Sequence, residues 1–220
     1  MLTVDIECYQ NYLLIFFKEL ETERTVYFEL FPGQELDRGR LQKTMSSYTT
    51  VGFNSLSYDL PLIQAAIEGW NNEELYRFSK NIITSNKPSW TVCKEADVHV
   101  PNFDHIDLFN VAPGMASLKV YGGSMNAPKM QDLPIDPDDE IRPEDHALMR
   151  EYCENDVDTT ILLYRTLTPQ IKLRELMSEQ YGLDLRSKSD AQIAEAVIKS
   201  ELEKKMKKKL YRPKMKEGKT

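Results

Sequence analysis

Two acidic residues lie close together near the amino terminus, in the segment MLTVDIEC. Asp5 and Glu7 are separated by Ile6 and follow the apolar Val4. A β-strand here would place both carboxylates on one face, about 7 Å apart along the chain. A divalent cation between them would offset their repulsion, and oxygen-only ligands suit Mg²⁺ or Mn²⁺ better than zinc. Taken alone, the alternation fits a strand with a solvated acidic face better than it fits a metal site.

Two further acidic residues follow in patterns that also contain a tyrosine. Asp59 ends the segment NSLSYD, which begins at Asn54 and connects an apolar strand to an apolar helix. Asp156 follows Tyr152 by four residues in a helical segment, so the two side chains share a helix face. Each residue has a structural alternative: a helix cap for Asp59, a solvated acid for Asp156 and core packing for Tyr152.

Together these residues fit the requirements of phosphodiester hydrolysis. That reaction needs a water made nucleophilic at neutral pH and charge neutralisation on the scissile phosphate. Two Mg²⁺ ions roughly 4 Å apart provide both. Holding two ions takes about four carboxylates from elements that are distant in sequence, and a tyrosine one helical turn before the last carboxylate could orient the attacking water.

The order and internal spacing of the three patterns, DxE, NxxxYD and YxxxD, resemble the ExoI, ExoII and ExoIII motifs of the DnaQ-like (DEDDy) 3′–5′ exonucleases. The resemblance covers about residues 1–168 and is nearest to the proofreading exonuclease domain of phage DNA polymerases. It implies a ribonuclease H-like α/β fold, with a mixed β-sheet flanked by helices. It also implies hydrolysis of single-stranded DNA 3′ ends to nucleoside monophosphates, in phage DNA replication or proofreading.

The resemblance assigns a catalytic role to each of these side chains. It implies that Asp5, Glu7 and Asp156 ligate one of two divalent ions, Mg²⁺ or Mn²⁺, and that Asp5 also contacts the second ion. Asp59 would act as a metal ligand mainly through an intervening water, and Tyr152 would orient the nucleophile.

The resemblance also implies a site for the 3′-terminal nucleotide. Asn54, Tyr58 and the backbone beside Glu7 would hold this nucleotide. Cys8 stands where relatives often have threonine, so its contact with the terminal sugar departs from the family pattern.

The composition describes a globular protein, with 41% hydrophobic and 29% charged residues among 220. No membrane-length apolar run and no signal-peptide pattern are apparent, so we expect no membrane partner and no secretion. The cysteines, Cys8, Cys93 and Cys153, are odd in number and widely spaced. This predicts reduced thiols in a cytoplasm, that of a bacterial host if the chain is phage-encoded, and argues against a zinc site.

The net charge of −7 is unevenly distributed. Residues 199–220 contain ten basic and three acidic residues, which leaves 18 basic and 32 acidic residues in the rest of the chain. An acidic body is not typical of a protein that coats nucleic acid, but it is compatible with an enzyme that holds nucleic acid through metal ions. Lys204 to Lys209 are interpreted as a solvated helix end, with phosphate or partner contact as the alternative.

The periodicity of apolar residues predicts alternating strands and helices. Strands are expected over residues 2–8, 12–18, 24–31, 49–53 and 105–109. Helices are expected over residues 37–47, 60–68, 72–85, 118–125, 144–167, 169–181 and 189–209, with a break at Gly122 and Gly123. Residues 86–101 are expected to be irregular and residues 126–142 to form an ordered loop. This order predicts an α/β domain with a mixed sheet.

We divide the chain into an exonuclease domain, residues 1–168, and a helical extension with a Lys-rich tail, residues 169–220. Residues 184–195 are similar to the segment that follows the exonuclease domain in some phage DNA polymerases. Because the sequence ends at Thr220, we expect no polymerase activity, and either a stand-alone exonuclease or a piece or subunit of a polymerase. Two alternatives stay open: an RNA-processing 3′–5′ exoribonuclease, and a catalytically silent nucleic-acid or polymerase accessory module.

Overall fold

A computed structural model describes residues 1–211 and places five strands in one mixed sheet. The strands are β1 (Leu2–Cys8), β2 (Leu13–Glu19), β3 (Thr25–Leu30), β4 (Thr50–Gly52) and β5 (His105–Asp107). Their order across the sheet is β3-β2-β1-β4-β5. The first three strands are antiparallel to one another, whereas β4 and β5 run parallel to β1. The chain therefore has the α/β architecture that was predicted, consistent with a ribonuclease H-like fold.

Eight α-helices and one 3₁₀ turn flank the sheet within residues 1–211. The helices are α1 (Arg38–Ser47), α2 (Asp59–Glu68), α3 (Asn72–Thr84), α4 (Ser89–Glu95), α5 (Leu118–Ser124), α6 (His146–Thr166), α7 (Thr168–Tyr181) and α8 (Asp190–Met206). The 3₁₀ turn, Pro143–Asp145, leads directly into α6. These bounds confirm most of the predicted elements to within a few residues.

Two hydrophobic cores lie on opposite faces of the sheet. The side chains of β1 alternate between them, so Val4 and Ile6 pack in the core formed with α1, α2, α3 and α4. The intervening Asp5 and Glu7 therefore face the other side, where α6 packs across β1 and β2. The alternation that suggested a solvated strand face instead directs both acids towards a helix.

The pairing of β1 leaves room for a site beside its second half. The ladder between β1 and β4 joins Leu2 to Thr50 and Thr3 to Val51. The ladder with β2 continues as far as Cys8, which pairs with Leu13. Asp5 and Glu7 thus lie on the part of β1 that extends beyond the parallel ladder, where the backbone N–H of Ile6 donates a hydrogen bond to the Asp59 carboxylate.

The sequence prediction was wrong at two helices. Residues 86–101 were expected to be irregular, but they contain α4, which packs Val92 and Cys93 into a core. Helix α5 runs without a break through Gly122 and Gly123. A Cβ atom on Gly122 would lie 3.1 Å from Cγ2 of Thr159, so glycine at this position permits the close approach of α5 to α6.

The extension is attached to the sheet by polar contacts. The Arg186 guanidinium lies 2.6 Å from a carboxylate oxygen of Asp104, just before β5. The backbone N–H of Asp107 donates a 2.9 Å hydrogen bond to Oγ of Ser187. Helix α8 ends at Met206 and not at residue 209 as predicted, with Lys207 in the left-handed region at φ 51°. The remainder of the basic tail, residues 212–220, lies outside the described residues.

Candidate metal centre

Four predicted acidic residues come from three separate elements. Asp5 and Glu7 lie on β1, Asp59 is the first residue of α2, and Asp156 lies in the middle of α6. Asp59 is only 4% exposed, whereas Asp5, Glu7 and Asp156 remain partly accessible to solvent. The carboxylates lie near enough that each interacts electrostatically with at least one of the others. The fold therefore brings together the four acids that are distant in sequence.

The turn between β4 and α2 positions Asp59. The carboxylate of Asp107, at the end of β5, accepts hydrogen bonds from the backbone N–H of Asn54 at 2.9 Å and of Leu56 at 3.0 Å. It also accepts a 2.9 Å bond from the backbone N–H of Phe109. Asn54 adopts a left-handed conformation with φ 58°, which asparagine tolerates better than most residues. One buried carboxylate thus holds the turn that leads into the helix carrying Asp59.

Helix α6 presents three side chains to the acidic face of β1. Tyr152, Cys153 and Asp156 lie within one helical turn, at the spacings that share a face. The Cys153 thiol lies 3.6 Å from Oδ2 of Asp5 and donates a hydrogen bond to it. One donor atom from each of Asp5, Glu7 and Cys153 lies within 4.8 Å of the other two.

Burial, and then mutual repulsion, raise the pKa values of the clustered acids. Burial, and then the Asp156 charge, raise the pKa of Asp5 to about 7. Burial raises the pKa of Glu7 well above its usual range, and the nearby charges of Asp5, Asp156 and Asp59 add to this effect. Burial, followed by the charge of Asp5, does the same to the pKa of Asp59. Such a cluster binds protons in the absence of a cation, and a bound cation would stabilise its ionised form.

Tyr152 and Asp156 interact directly. Burial raises the pKa of Asp156, while a hydrogen bond from the Tyr152 hydroxyl lowers it and the Lys119 ammonium lowers it further. Burial, followed by the charge of Asp156, raises the pKa of Tyr152 well above its usual range. The hydroxyl therefore stays protonated at neutral pH and can donate a hydrogen bond. Its place beside a carboxylate suits the orientation of a water molecule.

The donor set suits a hard divalent cation. Carboxylate oxygens are the ligands that Mg²⁺ and Mn²⁺ prefer, and Asp5 and Glu7 are close enough to share one ion. Among residues 1–211, Asp59 and Asp156 do not belong to this group of close donor atoms. Their charges nevertheless raise the pKa of Glu7. The prediction of oxygen-only ligands omitted the thiol of Cys153, which lies in the same group.

Two of the three predicted substrate-binding residues, Cys8 and Tyr58, lie close enough to Glu7 for its charge to act on them. Asn54 is exposed, and with Tyr58 it lines a cleft of about 490 Å³ bounded by α3 and the start of α4. The Tyr58 hydroxyl lies 2.7 Å from Oγ of Ser79. Burial raises the pKa of the Cys8 thiol to about 12, although a hydrogen bond donated by the Ser79 hydroxyl acts to lower it. Contact of these residues with a nucleotide stays a prediction.

Three side chains in or near the site were not chosen from the sequence. Asp107 was not among the predicted site residues, and its role is structural, because its carboxylate accepts hydrogen bonds from the turn that leads to Asp59. His105 is likewise structural: its ring nitrogens lie 2.8 Å from the Thr50 hydroxyl and 2.6 Å from the Ser55 hydroxyl. Cys153 was considered only as a thiol. Its position three residues before Asp156, on the same helix face, is the signal that could have identified it.

No helix within residues 1–211 is both long and apolar enough to cross a membrane. No family model, curated protein or solved structure matches this chain.

Proposed function

We propose that this chain is a metal-dependent 3′–5′ exonuclease that hydrolyses single-stranded DNA ends to nucleoside monophosphates. The observation that carries the proposal is the convergence of Asp5, Glu7, Asp59 and Asp156 from three elements, with Tyr152 beside the last of them. A cluster of carboxylates with raised pKa values and an adjacent oriented hydroxyl is typical of a catalytic site and uncommon as a packing device.

Asp5, Glu7 and Asp156 would hold one divalent cation, with Asp5 shared by a second and Asp59 completing the set. Two Mg²⁺ or Mn²⁺ ions supply the activation of the attacking water and the neutralisation of charge on the scissile phosphate. They also explain how an acidic protein with a net charge of −7 can bind a polyanion. The rigid strand β1 and helix α6 fix the ligands, so the geometry does not depend on a flexible loop.

Tyr152 acts as an orienting group and not as a general base in this proposal. Its pKa is raised well above the usual value by burial and by the charge of Asp156, so it cannot accept a proton at neutral pH as a phenolate. A protonated hydroxyl can still fix the direction of a water by hydrogen bonding.

The 3′ terminus of the strand would occupy the cleft lined by Asn54 and Tyr58, and Tyr58 in turn lies near Cys8 at the end of β1. No feature of this cleft recognises a ribose 2′-hydroxyl specifically, so RNA is the alternative substrate. The second alternative, a silent accessory module, is weakened because all four acids are present and clustered. A polymerase subunit as partner, a role in phage replication and a cytoplasmic location follow from the resemblance and are proposed on that ground alone.

The test uses single-stranded DNA and RNA of the same sequence, labelled at either end, with Mg²⁺, Mn²⁺ or a chelator. We expect stepwise shortening of 5′-labelled DNA, immediate release of a mononucleotide from 3′-labelled DNA, and no reaction with the chelator. Faster degradation of RNA would favour the exoribonuclease. Tight binding of either strand without degradation would favour the accessory module.

A further inference from the structure

The thiol of Cys153 belongs to the same group of donors as two of the proposed metal ligands. Its sulfur lies 3.6 Å from Oδ2 of Asp5, and donor atoms of Asp5, Glu7 and Cys153 all lie within 4.8 Å of one another. Cys153 is completely buried beneath the acidic face of β1, on the side of α6 that faces this strand. The group therefore combines two hard oxygen donors with one soft sulfur donor.

Such a mixed set discriminates between two classes of cation. Mg²⁺ has little affinity for sulfur, so with Mg²⁺ the thiol keeps its proton and its hydrogen bond to Asp5. Zn²⁺ and Cd²⁺ bind thiolates strongly and accept carboxylate oxygens in the same coordination shell. Zinc bonds of about 2.0–2.3 Å place neighbouring donors roughly 3.6 Å apart, which side-chain rotation can reach from separations of up to 4.8 Å.

We propose that Asp5, Glu7 and Cys153 form a binding site for a thiophilic divalent cation, and that such a cation excludes Mg²⁺ from the centre and inhibits hydrolysis. The expected inhibition rests on the proposed function. The binding of the cation does not depend on it. On binding, the S–H bond of Cys153 breaks and a sulfur–metal bond forms. The proton is released to solvent, and neither the metal nor the sulfur changes oxidation state.

The other two cysteines provide matched controls because they lie elsewhere. Cys8 follows Glu7 directly, but alternation along β1 turns it to the opposite face, where it meets Ser79. Cys93 lies on α4 within the core on that same opposite face. A signal from thiolate–metal bonding that depends on Cys153 alone would therefore identify this site.

The test is a titration of the full chain with Cd²⁺, in which the ultraviolet charge-transfer band of the sulfur–cadmium bond is recorded. We expect a band that saturates at one equivalent in the wild-type chain and in the Cys8→Ser and Cys93→Ser variants. The band should be absent in Cys153→Ser, and Asp5→Asn should weaken Cd²⁺ affinity at least about tenfold. A band of unchanged affinity in Cys153→Ser, or a band lost only in Cys8→Ser, would overturn the proposal.

A measurement on the wild-type chain keeps the test decisive if Cys153→Ser folds poorly. Excess Mg²⁺ should raise the Cd²⁺ midpoint, because both ions need Asp5 and Glu7. A Cd²⁺ midpoint that does not respond to Mg²⁺ would place the sulfur-bound ion elsewhere and overturn the proposal.

Inhibition separates this inference from the proposed function. Zn²⁺ should inhibit Mg²⁺-dependent DNA degradation. The inhibition of each chain is measured relative to its own rate with Mg²⁺ alone. Cys153→Ser should raise the inhibitory Zn²⁺ concentration at least about tenfold over that of the wild-type chain. If no variant degrades DNA but the Cd²⁺ band follows Cys153, the nuclease proposal fails and the cation site stands. If DNA is degraded but neither the band nor the inhibition depends on Cys153, only the cation site fails.

Discussion

The backbone N–H of Asn54 donates a 2.9 Å hydrogen bond to Oδ1 of Asp107. This bond joins the end of β5 to the turn after β4, so a residue on the edge strand of the sheet positions the start of α2 and with it Asp59. Burial raises the pKa of Asp107, and the three backbone N–H groups around its carboxylate lower it. Asp107 is therefore interpreted as a positioning residue that acts through Asp59.

The first prediction concerns Asp107→Asn. The asparagine amide has only one acceptor oxygen, so the hydrogen bond from at least one backbone N–H is lost. The side-chain NH₂ group would then point at that backbone donor. We expect the free energy of unfolding to fall by about 1–3 kcal/mol, and DNA degradation to slow through displacement of Asp59. Chemical denaturation measures the first effect and end-labelled DNA the second.

Asp97→Asn is the matched control for this variant. Asp97 is 95% exposed and has φ 58°, a conformation that asparagine also tolerates. We expect it to change stability by less than about 0.5 kcal/mol. Equal effects of the two variants would remove the positioning role from Asp107.

The second prediction concerns Tyr152→Phe. This change removes the hydroxyl beside Asp156 and leaves the packed ring in place. We expect kcat to fall on the order of 10- to 100-fold because the nucleophile loses its orientation, while the affinity for Mn²⁺ measured by calorimetry stays within error.

Tyr164→Phe offers a comparison on the same helix, about 18 Å from Tyr152 along the axis. It should leave both kcat and metal affinity unaltered. Unchanged kinetics in Tyr152→Phe would remove Tyr152 from the mechanism, and a loss of metal binding would reassign it to support of the ligands.

The third prediction concerns stability without metal. The pKa of Asp5 is raised from 3.8 to about 7, so the folded chain keeps a proton that the unfolded chain releases. Below both pKa values this carboxyl is protonated in both states and does not affect stability. Its destabilising effect grows as pH rises from about 4 to 7 and is complete above pH 7. Burial lowers the pKa of His105 to about 4, so at pH 8 that histidine is neutral in both states and contributes nothing.

We expect Asp5→Asn to unfold about 3 °C or more above the wild-type chain at pH 8 in chelator, at roughly 2–4 °C per kcal/mol for a chain of this size. Mg²⁺ should raise the unfolding temperature of the wild-type chain but not of this variant, because binding to the folded state stabilises it. Thermal unfolding followed by circular dichroism measures both. A variant less stable than the wild type in chelator at pH 8 would contradict the charge repulsion.

The fourth prediction concerns the basic tail. In α8, Lys204 pairs with Glu201 at 2.9 Å and Lys199 with Glu203 at 4.0 Å, as expected for a solvated helix. Deletion of residues 207–220 begins after this helix ends. We expect the slope of log affinity for single-stranded DNA against log salt concentration to stay unchanged. Lys43→Gln on α1 is the control for the loss of an exposed lysine outside the tail. A slope reduced by about 0.7 for each lost contact would instead show that the tail binds phosphates.

The sequence predicted the fold class and most elements because their apolar periodicity is regular. The strand β2, with every residue from Leu13 to Phe17 buried, and the long helix α6 have patterns that are difficult to interpret in another way. Helix α4 was missed because its seven residues include Thr91 and Val92, which have low helix propensity. Its formation depends on burial of Val92 and Cys93 in a core assembled from distant segments.

The site residues that form spaced sequence patterns could be predicted. Those that come into contact only in the folded chain could not. Asp5, Glu7 and Asp156 were chosen from spacing, and the fold brings them together. The contact between Cys153 and Asp5 joins residues 148 positions apart, and the bonds from Asp107 to the turn span more than fifty. Neither follows from local periodicity, because each depends on the register in which β1, β5 and α6 pack.

The most direct test of the metal-dependent nuclease is the rate of nucleoside monophosphate release from 3′-labelled single-stranded DNA by Asp156→Ala, compared with Asp158→Ala. Asp158 lies two residues further along α6 and pairs with Lys18, which keeps Glu154 as a partner when Asp158 is removed. We predict that Asp156→Ala lowers the Mg²⁺-dependent rate by more than about 100-fold, beyond the usual effect of losing an outer-shell partner, while Asp158→Ala stays near the wild-type rate. Equal, wild-type rates in both variants would contradict the assignment of this centre.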